Sequence, residues 1–214
     1  MFLKLLKQLT KNIKAMILAT NKKGEGVAPI ESGSYVGRIY QLIHLGTVQG
    51  FEGKMQNKVR IGFELPTELH VFDKEKGEQP RVISKDFTLS FNEKATLTKV
   101  ITACDSKALE LDENGLMEEF DVETLVGKEC LITIAQKPKK DGTGNYAYID
   151  STTRIPKGMT CPPAINEPQI LNYTNWNEEL YQKLPDFLKE KIASSDEYKT
   201  MKGLNSPASE DVGF

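Results

Sequence analysis

Two histidines, His44 and His70, and three cysteines, Cys104, Cys130 and Cys161, are all the imidazoles and thiols that 214 residues offer to a metal. They are far apart and include no Cys-x-x-Cys pair, so no zinc or cluster spacing is present. An odd and scattered cysteine set is also no disulfide framework. It points to a reducing, intracellular compartment, with Cys104 and Cys130 read as buried thiols. No stretch approaches the roughly 20 consecutive apolar residues of a membrane helix, and the mean hydropathy is −0.41. Nowhere is there a Walker loop, a Gly-x-Gly-x-x-Gly turn, a His-Glu-x-x-His helix or a Gly-x-Ser-x-Gly elbow. The acids between positions 105 and 124 lack the Asp-x-Asp-x-Asp-Gly spacing of a calcium loop. These absences lead us to expect a non-enzymatic protein with no metal and no cofactor.

What the chain does have is alternation. Residues 34–48, SYVGRIYQLIHLGTV, read as a long half-buried strand, with Tyr35, Ile39, Ile43 and Leu45 on one face and Arg38, Tyr40, Leu42 and His44 on the other. Gly37 inside it suggests a bend. After a loop over 47–57, KVRIGFEL predicts a second strand, Lys58–Leu65, that ends at Pro66, with Leu69–Phe72 as a short extension before a polar turn. A third strand is expected over Arg81–Phe91. Asn92 then caps a helix running to about Thr102, whose stripe is Leu97, Val100 and Ile101. DVETLVGK predicts a helical turn ending at Gly127. Strands over Glu129–Lys137 and Asn145–Asp150 follow, joined by a basic hairpin turn through Asp141-Gly142. In the last of these strands Ala147 and Ile149 face inward and Tyr146 and Tyr148 face out.

Strand, strand, strand, helix, strand, strand is the order of the OB-fold, a five-stranded, partly open barrel. The expected class is therefore mainly β with helices (α+β): an OB-fold barrel with an N-terminal arm and a C-terminal helical appendage. Four segments follow. Residues 1–33 form an N-terminal helix and arm, basic and amphipathic at its start. Met16 looks like a natural start, so residues 1–15 read as an extension. The barrel occupies 34–158. A Pro-rich strap and helix occupy 159–200, the helix broken at Pro185 and striped by Leu180, Leu184, Phe187, Leu188 and Ile192, with Trp176 anchoring its start. Residues 201–214 are expected to form a disordered, polar, acidic tail.

The outward faces carry the chemistry. A single nucleic-acid strand is held by cations that follow its phosphates and by rings that stack its bases. Tyr40, Tyr146 and Tyr148 supply rings; Arg38, Lys58, Arg60, Lys137, Lys139, Lys140 and Arg154 supply charge. The acids gather elsewhere, in 105–124 and in the tail. That segregation outweighs the net charge of −2, which taken alone argues against nucleic acid.

The strings SGSYVGRIYQLIHLGTV, NKVRIGFELP, ISKDFTLSFNEKATLTKVI, LVGKECLITI and YAYIDSTTRIPKGM resemble the small OB-fold single-stranded DNA-binding proteins of bacteriophages, and the resemblance extends from Met16 to Ser195. It implies sequence-independent binding and protection of single strands during phage replication and recombination, in the cytoplasm of the infected host, with no membrane and no cofactor. Homo-oligomers are common in such modules, and the subunit number stays open. The terminal Glu210-Asp211-Val212-Gly213-Phe214 resembles the acidic, Phe-ended tip with which bacterial single-stranded DNA-binding proteins dock replication and repair enzymes, although Gly213 stands where Pro is usual. That likeness implies a partner-binding tail of Glu210, Asp211 and Phe214. The alternative is the same barrel used as an interaction module for a host or phage protein.

Overall fold

The computed structural model describes residues 27–90, 92, 94–109 and 119–204. The N-terminal amphipathic stretch and the tail residues Glu210, Asp211 and Phe214 lie outside the described residues. Strands β1 (Gly33–Gln49), β2 (Met55–Asp73), β3 (Gly77–Thr88), β4 (Glu129–Pro138) and β5 (Asn145–Thr153) form an antiparallel sheet in the order β3-β2-β1-β4-β5. A short sixth strand, β6 (Gln169–Leu171), runs parallel to β1 beside Gln41–Ile43. The sheet curls until its two edges approach. The Lys85 ammonium of β3 donates to the Ile149 carbonyl of β5 across 3.0 Å. Helix α1 (Thr96–Cys104) packs against β3, β4 and β5 with Leu97, Val100, Ile101 and Ala103 buried. The architecture is thus mainly β, a curled antiparallel half-barrel with a few helices.

The inside of the curl holds the main core: Ile39, Leu42, Val59, Ile61, Phe63, Leu65, Phe87, Ile132, Ile134 and Ile149 with the α1 stripe. A second core lies on the other side of β1, where Ile43 and Leu45 meet Leu171, Tyr181, Leu184, Leu188 and Ile192. The expectation that Ile39, Ile43 and Leu45 share a face is therefore corrected. The register slips between Ile39 and Gln41. One extra residue in a strand turns every later side chain to the opposite face, so Leu42 points inward with Ile39 while Ile43 and Leu45 point outward. Each buried Leu or Ile is worth about 1.5–3 kcal/mol. The outward pair is what binds the C-terminal helices to the sheet.

Those helices are α2 (Glu178–Lys183), α3 (Asp186–Ala193) and α4 (Asp196–Met201). The break at Pro185 is where the sequence places it, and the Asn177 side chain accepts from the Leu180 amide to cap α2. Leu184, Leu188 and Ile192 are buried, but Phe187 is 57% exposed and does not belong to the stripe. The Trp176 indole donates to Glu178 and its ring lies among Tyr173, Tyr181 and Tyr198. β6 and α4 carry too little pattern to be read from sequence.

Two further expectations change. β2 does not stop at Pro66 but continues to Asp73. Pro66 falls inside a register shift between Leu65 and Leu69, where no ladder hydrogen bond is asked of it. Asn92 does not cap α1; its side chain accepts from the Lys94 amide in a turn before the helix, which starts after an uncapped Ala95. At Gly46 φ is +78° beside a second register slip in β1, and a Cβ there would lie 2.7 Å from the Ser195 Cβ and 2.6 Å from a Glu197 oxygen. Only glycine lets α4 approach so closely.

Candidate nucleic-acid interface

The β4–β5 hairpin gathers five of the expected residues. A register shift between Thr133 and Ile134 sets the pairs Ile134–Ile149, Ala135–Tyr148, Gln136–Ala147 and Lys137–Tyr146. Ile134 and Ile149 are buried, and Lys137, Tyr146 and Tyr148 take the outer face. The Lys137 ammonium lies 4.3 Å from the centre of the Tyr148 ring. The Tyr146 ring is 6.3 Å from Tyr148, tilted by 49°, and Tyr146 is 45% exposed. The turn between the strands is tight. The Lys139 amide donates to the Gly144 carbonyl across 2.8 Å, and Gly142 and Gly144 take positive φ. Lys139 and Lys140 are exposed at this tip. Bonds from the Thr143 hydroxyl and amide hold the Asp141 carboxyl below its ordinary value. The outer hairpin surface therefore presents two ring faces beside three cations, an arrangement suited to stacked bases and phosphates.

A second group lies on the outer face of β2 and β3. The Arg60 guanidinium bonds Asp86 at 2.6 Å and sits 5.7 Å from the centre of the Phe187 ring. The Lys191 ammonium of α3 takes the other Asp86 oxygen at 2.6 Å. Tyr40 lies beside Arg60, lining a cleft of about 340 Å³ with Val82, Ser84, Leu184 and Phe187. Burial pushes the Tyr40 hydroxyl above its ordinary pKa, Glu64 adds to this, and Arg60 opposes it. Lys58 pairs with Thr88 across the β2–β3 ladder and forms no ion pair among the described residues.

Arg38 sits elsewhere than the open face on which the alternation places it. It is 9% exposed. One amino group bonds Glu64 at 3.2 Å; the other bonds Glu129 at 2.5 Å and the Pro162 carbonyl at 2.7 Å. The Glu64 carboxylate, fully buried, also accepts the Asn166 amide at 2.8 Å and the Ile165 amide at 3.3 Å. Arg38 does point outward, but the Pro-rich strap crosses over it, and a strand cannot be read as covered from its own alternation. Arg154 is exposed beyond the far end of β5, in a cleft with Lys128, Glu129 and Cys104. At 3.3 Å per residue it is about 26 Å from Tyr146, so it does not join the hairpin group.

Sequence reasoning missed Phe187 and Lys191 because it gave their helix to packing. The available signal was their spacing: four apart on one helix, a ring and a cation flanking the Leu184-Leu188-Ile192 stripe. No helix among the described residues is long and apolar enough to cross a membrane. The sequence matches no protein-family model and no curated protein, so the interface is argued from its geometry.

Proposed function

We propose that the protein binds single-stranded DNA without enzymatic turnover, using an OB-like barrel whose β4–β5 hairpin carries the principal contact. The observation that carries this reading is the outer face of that hairpin, where Lys137 lies over Tyr148, Tyr146 stands open beside them, and Lys139 and Lys140 project from the tip. The strand order with β3 meeting β5, and a helix between β3 and β4, supports the OB reading, and the loop between the fourth and fifth strands is one that OB-folds use for oligonucleotides. The likeness to phage binding proteins supplies the setting: protection of strands exposed during replication and recombination in an infected bacterium, with the C-terminal tail available to a partner enzyme.

The test is a fluorescence titration with oligo-dT. Tyr146→Ala with Tyr148→Ala should weaken binding by about 2–6 kcal/mol, two stacked bases at roughly 1–3 each, while the melting curve stays close to wild type. Unchanged affinity would remove the hairpin from the interface. Absence of any oligo-dT binding by the wild type would refute the function.

A second reading, a module for a protein partner, draws on the extended β2–β3 hairpin, whose Leu69, Val71 and Phe72 are each about half exposed. Recovery of a stoichiometric protein partner that is lost on Leu69→Ser with Phe72→Ser, together with blank gel shifts, would favour it.

A further inference from the structure

The cleft between α3 and the outer face of β2–β3 is built from groups that the packing of the helix does not need. Phe187 stays 57% exposed while Leu184, Leu188 and Ile192 on the same corner are buried. One side of its ring carries the Arg60 guanidinium, and the rest is open to a flat ligand. At the margin of the cleft, Arg60, which lines it, and Lys191, which stands just outside it, share the single carboxylate of Asp86, so this edge holds two positive groups for one negative. Surplus positive charge beside an open ring complements a phosphate attached to a base. The Tyr40 and Ser84 hydroxyls line the same cleft and make no hydrogen bond with another side chain or backbone group among the described residues. They are free for the polar edge of a base. At about 340 Å³ the cleft lies at the lower end of small-ligand sites, roughly 300–1,000 Å³.

The cleft and the hairpin lie on strands whose edges meet. Lys85 and Ile149 join the β3 and β5 edges. The residues flanking them, Ser84 and Asp86 on one strand and Tyr148 on the other, face outward on neighbouring strands of one surface. A polynucleotide lying on Tyr146 and Tyr148 would cross that seam to reach Phe187.

We propose that this cleft is a second stacking station for the same strand, taking one base against Phe187 with its phosphate beside Arg60 and Lys191; the proposal rests on the single-strand reading above. It gives the C-terminal helices a part in binding and lengthens the site from the hairpin to α3.

The experiment compares the full-length wild type, Phe187→Ala, Phe187→Trp and the Tyr146→Ala, Tyr148→Ala double variant on oligo-dT and on an abasic oligonucleotide of equal length, with a thermal melt of each. Phe187→Ala should lose about 5- to 150-fold in oligo-dT affinity, the worth of one stacked base, and match the wild type on the abasic strand and in the melt. Phe187→Trp should keep its affinity, with the new indole quenched on oligo-dT. An equal loss by Phe187→Ala on both strands would show that the ring only positions Arg60, and would overturn the station. Wild-type affinity for oligo-dT in Phe187→Ala, alongside a loss in the tyrosine variant, would overturn the station and leave the single-strand reading standing. Failure of the wild type to bind either strand would remove both.

Discussion

Replacing Arg38 by methionine should cost stability and leave oligo-dT affinity alone. The Arg38 side chain is 10% exposed and that of its partner Glu64 is 0% exposed. Without the guanidinium, the Glu64 carboxylate remains inside with only the Ile165 and Asn166 amides for company. Breaking a buried pair from one side costs about 3–5 kcal/mol, because the remaining charge is uncompensated. The contact with Glu129 adds little, since that side chain is 37% exposed and can turn to water. A loss of this size lowers the melting temperature by roughly 6–20 °C for a chain of this length. The argument makes a second demand. If the cost is the orphaned charge, adding Glu64→Gln to Arg38→Met should restore part of the loss, because the amide is neutral and can still accept from the strap. Urea and thermal unfolding of the two single variants and the double variant give the coupling directly. Titration with oligo-dT well below the melting transition gives the affinity. A change under about 1 kcal/mol in Arg38→Met, well short of the buried-pair range, or a double variant less stable than Arg38→Met, would refute the reasoning. Weakened binding with unchanged stability would place Arg38 back on the interface.

Lys139→Ala with Lys140→Ala should flatten the dependence of log affinity on log salt by about 1.4, at roughly 0.7 per phosphate contact on a single strand; an unchanged slope across a sodium chloride series would mean that the hairpin tip touches no phosphate. Gly46→Ala should cost roughly 1–3 kcal/mol in a thermal melt, since φ there is +78° and the new methyl meets Ser195 and Glu197; a wild-type melt would show that α4 does not close on β1 as described. Asp86 titrates below its ordinary 3.8: burial acts to raise it, but bonds and charge from Lys191 and Arg60 outweigh that. The unfolded chain therefore takes up this proton first on acidification, so the stabilisation is complete above the ordinary value and is lost as pH falls through the lower folded one. Asp86→Asn should thus be less sensitive to acid than the wild type below about pH 4, and coincident acid limbs in the two stability curves would refute the pairing.

Much of the strand pattern was legible because each strand advertises its inner face. Val59, Ile61, Phe63 and Leu65 alternate with Lys58, Arg60 and Glu64, and the two sets take opposite faces, although the strap buries Glu64 on the outer one. The same holds for Ala147 and Ile149 against Tyr146 and Tyr148, which is why the hairpin group could be named from sequence. β1 was misread at its middle because a bulge leaves no mark in hydrophobic pattern: Ile39, Leu42, Ile43 and Leu45 are all apolar, and only the partner strand reveals which of them turn outward. Arg38 was misplaced for a related reason. Its neighbours in sequence show that it faces out, but the cover comes from residues 161–166, more than a hundred positions away. Phe187 was the opposite error, an apolar residue assigned by spacing to a stripe of which Leu184, Leu188 and Ile192 pack against the sheet and Phe187 does not.

These misreadings share one origin, and it bears on function. A curled sheet exposes its whole outer surface unless something covers it. Here the C-terminal third covers the middle. The helices take Ile43 and Leu45 on β1, β6 pairs along the same strand, and the strap is tied across β1 and β2 by Arg38 and Glu64. The covering stops at the two sides of the β3–β5 seam. On one side stand Tyr146, Tyr148 and the lysines of the hairpin; on the other stand Tyr40, Arg60 and Phe187. Rings left in water cost free energy that burial would recover. That the fold instead buries an arginine under the strap and leaves the Tyr146 and Phe187 rings about half exposed near cations is the physical reason for proposing the seam as the working surface. Under the proposed single-strand reading, the C-terminal segment would then help to set where a strand lies.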